Sequence, residues 1–154
     1  MRVNFLAFDF GASSGRAMLG CLEDGQLEIE ELHRFSNDPV RLCGRLVWDL
    51  PRLVFEMKRA LTLAGRRGVE LSGIGIDAWG VDFGLLDARG RLLSLPAHYR
   101  DERTDGVMER AFRKIPREEL FFRTGTAFNK FNTVFQLLAM REEGDPTLDA
   151  ASRI

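Results

Sequence analysis

The sequence predicts an α/β fold in which antiparallel strands are followed by a helix, a further strand and a helical C-terminal stretch. Three observations carry this. Two apolar runs, Phe5-Leu6-Ala7-Phe8 and Ala17-Met18-Leu19, flank a turn of small residues. An amphipathic run with three-and-four spacing starts at Asp49-Leu50-Pro51, and a short apolar run over residues 71–79 comes after it.

The first two runs read as a hairpin closed by Asp9-Phe10-Gly11-Ala12-Ser13-Ser14-Gly15-Arg16. Gly11 and Gly15 are expected to supply positive φ and close backbone approach in this turn. Glu23-Asp24-Gly25 is a second turn, and residues 26–35 alternate through Leu27, Ile29, Glu31, His33 and Phe35 as a third strand. Asp49 then caps a helix whose apolar positions are Leu50, Leu53, Val54, Met57, Leu61 and Ala64. Pro51 lies in its first turn, and the stretch from Gly65 to Gly68 ends it. Residues 71–79 have the composition of a strand buried on both faces. Residues 81–86 read as a further strand, turning at Asp87-Ala88-Arg89-Gly90 into Leu92-Leu93. Beyond Thr104 the pattern is helical. Val107, Ala111 and Phe112 share a face, Pro116 opens a short helix ending near Gly125, and Asn132 caps a helix over residues 133–143.

Bulk properties narrow the function. A chain of 154 residues with 45% hydrophobic and 29% charged content can bury a core. A formal net charge of -1 lacks the electrostatic footprint of a nucleic-acid binder. Cys21 and Cys43 form no metal-ligand or disulfide pattern and read as reduced thiols. Asp9 interrupts the first apolar run, and no run approaches the ~18 residues of a membrane span, so a cytoplasmic protein with no membrane partner is expected.

The chemistry concentrates in the first turn. Ser13, Ser14 and the turn amides make a concave donor surface suited to a phosphate, Arg16 adds a planar cation, and Asp9 places a carboxylate where Mg²⁺ on a nucleotide could be met through water. The same residue types also build an ordinary Gly-Ser hairpin. Asp77 ends a strand expected beside the first, so Asp9 and Asp77 would share one mouth as metal ligands or as a general-base pair; a hydrogen-bonded strand end is the alternative for Asp77. Trp79 offers a flat face to a sugar ring and Gly80 lets a hydroxyl approach backbone, although core packing and a strand bulge would use the same residues. No P-loop, Rossmann fingerprint or hydrolase triad is present.

The run from Asp9 to Arg16 resembles the first phosphate motif of the FGGY carbohydrate kinases, in the superfamily of actin, Hsp70 and hexokinase. Three further segments match in family order: His33-Arg34-Phe35 with Trp48-Asp49, the run from Gly73 to Phe83, and Tyr99-Arg100-Asp101-Glu102-Arg103-Thr104. The resemblance implies a ribonuclease-H-like mixed sheet with flanking helices, incomplete as a first domain. Residues 1–95 would carry the sheet and phosphate hairpin, and residues 96–154 the sugar-side loop and helices. It implies an ATP- and Mg²⁺-dependent kinase acting on the primary hydroxyl of a ketose. Ala12, Ser13, Ser14, Gly15 and Arg16 would bind ATP, and Asp9 would serve catalysis through the metal. Gly80, Trp79, Asp77, Asp101 and Asn132 would face the sugar, with pairing of Asp101 to Arg103 and a plain N-cap for Asn132 as the structural alternatives.

The family's base belongs to a His-Asp-Thr-type triplet. No His-Asp pair occurs here, so the base and the second domain are expected beyond Ile154 and the 154 residues alone are expected to be inactive. Rival readings are another FGGY sugar kinase, a non-enzymatic actin-like module binding ATP or sugar, and a ribonuclease-H-like nuclease using Asp9, Glu56 and Asp77.

Overall fold

The structure is a computed structural model describing all 154 residues. In chain order the elements are β1 (Arg2–Phe10), β2 (Ser14–Glu23), β3 (Gln26–Ser36), β4 (Val40–Leu42), β5 (Arg45–Val47), α1 (Leu50–Arg66) and β6 (Gly73–Asp77). A 3-10 turn at Glu102–Thr104 follows, then α2 (Val107–Lys114), α3 (Arg117–Thr124), α4 (Thr133–Glu143) and α5 (Pro146–Ala150). The chain divides into two compact units, residues 1–38 with 49–80 and residues 39–48 with 81–154.

In the first unit β1, β2 and β3 form an antiparallel meander and β6 pairs with β1 in parallel, giving the order β3-β2-β1-β6. The β2–β3 turn is Asp24-Gly25 with both residues at positive φ, the two-residue hairpin geometry that matches strand twist. Asp49 caps α1 as expected, its carboxylate accepting from the Arg52 amide. Leu53, Ala60 and Ala64 of α1 pack with Leu6, Phe8, Ala17, Leu19, Leu32 and Phe35 in one core on one face of the sheet. Burial of such side chains is worth roughly 1.5–3 kcal/mol each for the larger ones.

Two expectations fail here. Residues 71–79 are not a strand buried on both faces: β6 is the edge strand, and Ile74 and Ile76 are 54% and 59% exposed. The helix packs over β2 and β3 and leaves β6 uncovered. Gly11 and Gly15 do not adopt positive φ. The close approach expected of them is present: a Cβ at Gly15 would lie 2.2 Å from the Phe35 ring, and at Gly11 it would meet the Ser14 carbonyl at 3.0 Å.

In the second unit β4 and β5 form a short hairpin through Cys43-Gly44, both at positive φ; its strands are too short to show in the sequence pattern. Residues 81–86 do not form a strand, and only an isolated bridge joins Leu86 to Leu92 across the expected Asp87–Gly90 turn. The Val81 carbonyl is taken instead by the Thr133 hydroxyl at 2.7 Å and the Gln136 amide at 3.1 Å, which holds this stretch on the start of α4. A second core gathers Val107 and Ala111 of α2 with Phe135 and Ala139 of α4, edged by Phe112 and Phe128 in T-shaped contact. Gly125 and Gly144 close α3 and α4 in the left-handed region.

Candidate active site

The turn between β1 and β2 is held by few bonds. Gly11 N–H donates to the Ser14 carbonyl at 2.9 Å, while the Ala12 and Ser13 amides and the Ser13 and Ser14 hydroxyls make no bond to protein. A tight turn with two free amides and two free hydroxyls is a donor cradle for an anion. Two of its remaining carbonyls, those of Gly11 and Ser13, are tied from behind by Asn37, a residue that no sequence pattern singles out. The Asn37 amide N–H donates to the Ser13 carbonyl at 3.0 Å, and its side-chain Nδ2 donates to the Gly11 carbonyl at 2.8 Å.

Beside the turn, strand register aligns a row of charged residues. Asp9 is registered with Arg16 on one side and Asp77 on the other, and Arg16 with Arg34 of β3. Registered positions of neighbouring strands leave the sheet on one face, so Arg34, Arg16, Asp9 and Asp77 form a row across it. This face is opposite to the one α1 covers, because Phe8 and Phe10, the neighbours of Asp9, point into the core. Arg16 donates from Nε and Nη2 to Oδ2 of Asp9, which leaves Oδ1 free of protein donors. Arg34 pairs with Glu31, and the Arg34 hydrogen bond holds the Glu31 carboxyl below its ordinary range.

Two adjacent carboxylates at strand ends, next to phosphate donors, have the hard-oxygen chemistry that Mg²⁺ takes from a protein when a nucleotide supplies its remaining ligands. Asp9 and Asp77 therefore fit that ion. Glu56, the third acid required of a nuclease, does not join them. Its side chain is enclosed, and it accepts from His33 Nε2 at 2.6 Å with Arg52 and Arg59 alongside. No group of three potential metal ligands occurs.

Trp79 stacks on Phe10 with centroids 6.1 Å apart at the rim of the first core. Gly80 is exposed, and a Cβ on it would meet no atom within 4 Å.

In the second unit the Tyr99–Thr104 segment is built around buried polar groups. Asp101 accepts from the Leu46 amide at 2.7 Å and the Arg103 amide at 3.1 Å, so both carboxylate oxygens shape the loop. Arg103 turns its Nη2 to the Gln136 side-chain Oε1 at 2.6 Å; it approaches Asp101 through its backbone rather than as an ion pair. Asp82 accepts from Trp48 Nε1 at 2.6 Å, the Tyr99 amide at 3.3 Å and Gln136 Nε2 at 3.1 Å. His98 lies between Trp48 and Tyr99, and burial pushes its imidazole pKa down; Nδ1 accepts from the Arg100 amide, which leaves the proton on Nε2. Asn132 occupies the N-cap position of α4, but its side chain accepts from the Asn129 amide at 2.6 Å rather than capping the helix.

Gln136 is the organising residue that sequence reasoning missed here. A Gln on a helix between apolar neighbours carries no pattern, and only burial with four partners reveals it.

This fold is that of the sugar kinases. It superimposes on gluconate kinase from Lactobacillus acidophilus with a TM-score of 0.78 over 98% of this chain and 30% of that one, at 14% identity. The mixed sheet with flanking helices is thus the expected carbohydrate-kinase architecture. More particularly, the chain resembles rhamnulokinase along its whole length. It is 42% identical over all 154 residues to the rhamnulokinase of Bacteroides thetaiotaomicron, and 42% identical over 147 residues to that of Oceanobacillus iheyensis. It spans about a third of the length of these relatives, 32% and 31%. No protein-family profile matches the chain. No helix is long and apolar enough to cross a membrane.

Proposed function

We propose that the chain is the first part of an ATP-dependent, cytoplasmic sugar kinase that converts L-rhamnulose to L-rhamnulose 1-phosphate. The observation that carries this is the register of Asp9 with Arg16 and Asp77 beside a turn whose Ala12 and Ser13 amides and Ser13 and Ser14 hydroxyls are free. The resemblance to rhamnulokinases supports the choice of sugar.

In this reading Ala12, Ser13, Ser14 and Gly15 cradle the nucleotide phosphates and Arg16 holds Asp9 in place beside them. Mg²⁺, when bound, neutralises charge on the transferring phosphoryl group. Asp9 would hold that ion, with Asp77 as its registered neighbour. Trp79 and Gly80 face the sugar, Asn132 is a sugar contact, and Asp101 takes part by shaping its loop. Catalysis of this kind is positioning and charge stabilisation, so the attacking hydroxyl still needs a base. His33 is engaged by Glu56, His98 is buried, Asp82 is taken up by Trp48, Tyr99 and Gln136, and Asp77 stands beside the metal position, which leaves none of them suited to that task. The base therefore belongs to a part of the kinase outside these residues, and the 154-residue chain is inactive alone.

A coupled ADP-release assay with L-rhamnulose tests this. The chain alone should show no turnover, and a chain carrying these residues at the length of the relatives should show it. Turnover by purified 154-residue protein would overturn the assignment of the base, and failure of the longer chain to phosphorylate any ketose would overturn the function.

Gly80 gives a second test. Its surroundings leave room for a larger side chain without strain, so Gly80→Leu in the longer kinase should raise KM for the sugar about tenfold or more while the thermal midpoint stays nearly constant. Equal losses of stability and affinity would mean that Gly80 serves only the backbone.

A further inference from the structure

We propose that Asn37 is a positioning residue of the phosphate turn, one that presets the direction in which the Ala12 amide points. The inference rests on the reading of this turn as the nucleotide-phosphate site. Asn37 follows the last residue of β3 and is 4% exposed, although Ser36 and Asp38 on either side of it are exposed. It is therefore a polar side chain folded inward, and its bonds go to the turn.

A trans peptide is planar, with its C=O and N–H pointing in opposite directions. The Gly11 carbonyl and the Ala12 N–H belong to one such plane. By donating Nδ2 to the Gly11 carbonyl at 2.8 Å, Asn37 pulls that oxygen toward the protein and turns the Ala12 N–H away from it, toward the side where no protein acceptor awaits. The Asn37 backbone amide fixes the next carbonyl but one, that of Ser13, at 3.0 Å.

The rest of the turn does little to prevent rotation of this peptide. Its one internal bond runs from Gly11 N–H to the Ser14 carbonyl, and neither the Gly11 carbonyl nor the Ala12 N–H takes part. Glycine at position 11 also gives the flanking backbone unusual freedom. Without an external donor, the Gly11–Ala12 plane can rotate so that a carbonyl oxygen rather than an N–H faces the phosphate, and a repulsive contact replaces an attractive one. The bond to a carbonyl requires a donor, which the Asn side chain supplies from a short, planar amide. Aspartate at the same position has the same shape and offers only acceptors.

The test uses the 154-residue chain itself, uniformly labelled with ¹⁵N and titrated with Mg²⁺-ATP while the amide resonances are followed. In the natural sequence the Ala12 and Ser13 signals are expected to move together. In Asn37→Asp, and in Asn37→Ala, the Ala12 signal should start at a different position and lose most of its response, with apparent affinity falling about tenfold, the scale of one buried hydrogen bond. A thermal midpoint within a few degrees of the natural chain shows that the fold is retained.

If one of these variants does not fold, the other is decisive. If neither folds, Asn37→Leu, which is close to asparagine in size and has no donor, is read in the same way. Variants that fold and respond as the natural chain does overturn the inference, and so does loss of folding in all three, because Asn37 would then act on the fold as a whole. Absence of any Ala12 or Ser13 response in the natural sequence is a different result: it overturns the phosphate-site reading itself.

Discussion

Asp9→Asn, placed in a chain with the length of the relatives, is expected to lower kcat by about 10²–10³-fold while leaving the thermal midpoint almost unchanged. The two halves of this expectation come from different parts of the structure. The Asp9–Arg16 pair is partly exposed, with side chains 40% and 43% accessible, and an ion pair in that setting contributes about 0–1 kcal/mol to folding. Its removal is mild for stability. The charge itself has another use. Oδ1 has no protein donor, Asp77 is the registered neighbour, and the turn donors lie at the end of the same strand. Neutralising one of two adjacent carboxylates removes half of the local negative charge available to a divalent cation at the phosphates. Asparagine also presents an N–H₂ group toward Arg16 in one orientation, so Arg16 is freed to drift. Kinetics and differential scanning calorimetry on the same protein separate the effects. A rate close to that of the natural sequence would remove Asp9 from the metal site, and a parallel fall in midpoint and rate would make it a folding residue.

Much of the first unit was legible in the sequence because its signals are local. Asp24-Gly25 dictates a two-residue turn, Asp49 with Pro51 dictates a helix start, and the spacing from Leu50 to Ala64 dictates which face is buried. The placing of Asp9 beside Asp77 was also legible, since it follows from a parallel strand returning beside the first. Burial of β6 was not, because composition reports what a strand tolerates and not what covers it. Ile74 and Ile76 are apolar and exposed because α1 lies over β2 and β3. In the same way, two glycines in a turn suggested positive φ, whereas Gly15 is needed to admit the Phe35 ring from β3. Asn37 in the first unit acts on a partner 26 residues away, and Asp82 in the second, bonded to Trp48 and Gln136, on partners 34 and 54 away, and no period or motif encodes such pairs. Asp101 was legible as important, though its carboxylate shapes the loop through the Leu46 and Arg103 amides.

The largest effect on stability is expected at Glu56. This carboxylate is enclosed between α1 and β3, where it accepts from His33 and lies against Arg52. Burial alone would push its pKa up, but the His33 hydrogen bond and the Arg52 charge outweigh that and hold it below the ordinary value. Glu56→Ala removes the charge, leaves the His33 ring without its partner and opens space under the helix, so a loss of about 3 kcal/mol or more is expected near neutral pH. The pH dependence carries the sign of a depressed acid. A carboxyl whose folded pKa lies below its unfolded value of about 4.5 contributes fully above that value, and the contribution is lost as pH falls toward the folded pKa. The natural sequence should therefore lose stability on acidification below about pH 4.5 more steeply than Glu56→Ala, and the gap between them should narrow there. Urea unfolding of both proteins across that range measures it. A gap that stays constant or widens in acid would show that Glu56 stabilises by filling space, with its ionisation unconnected to the joint between β3 and α1.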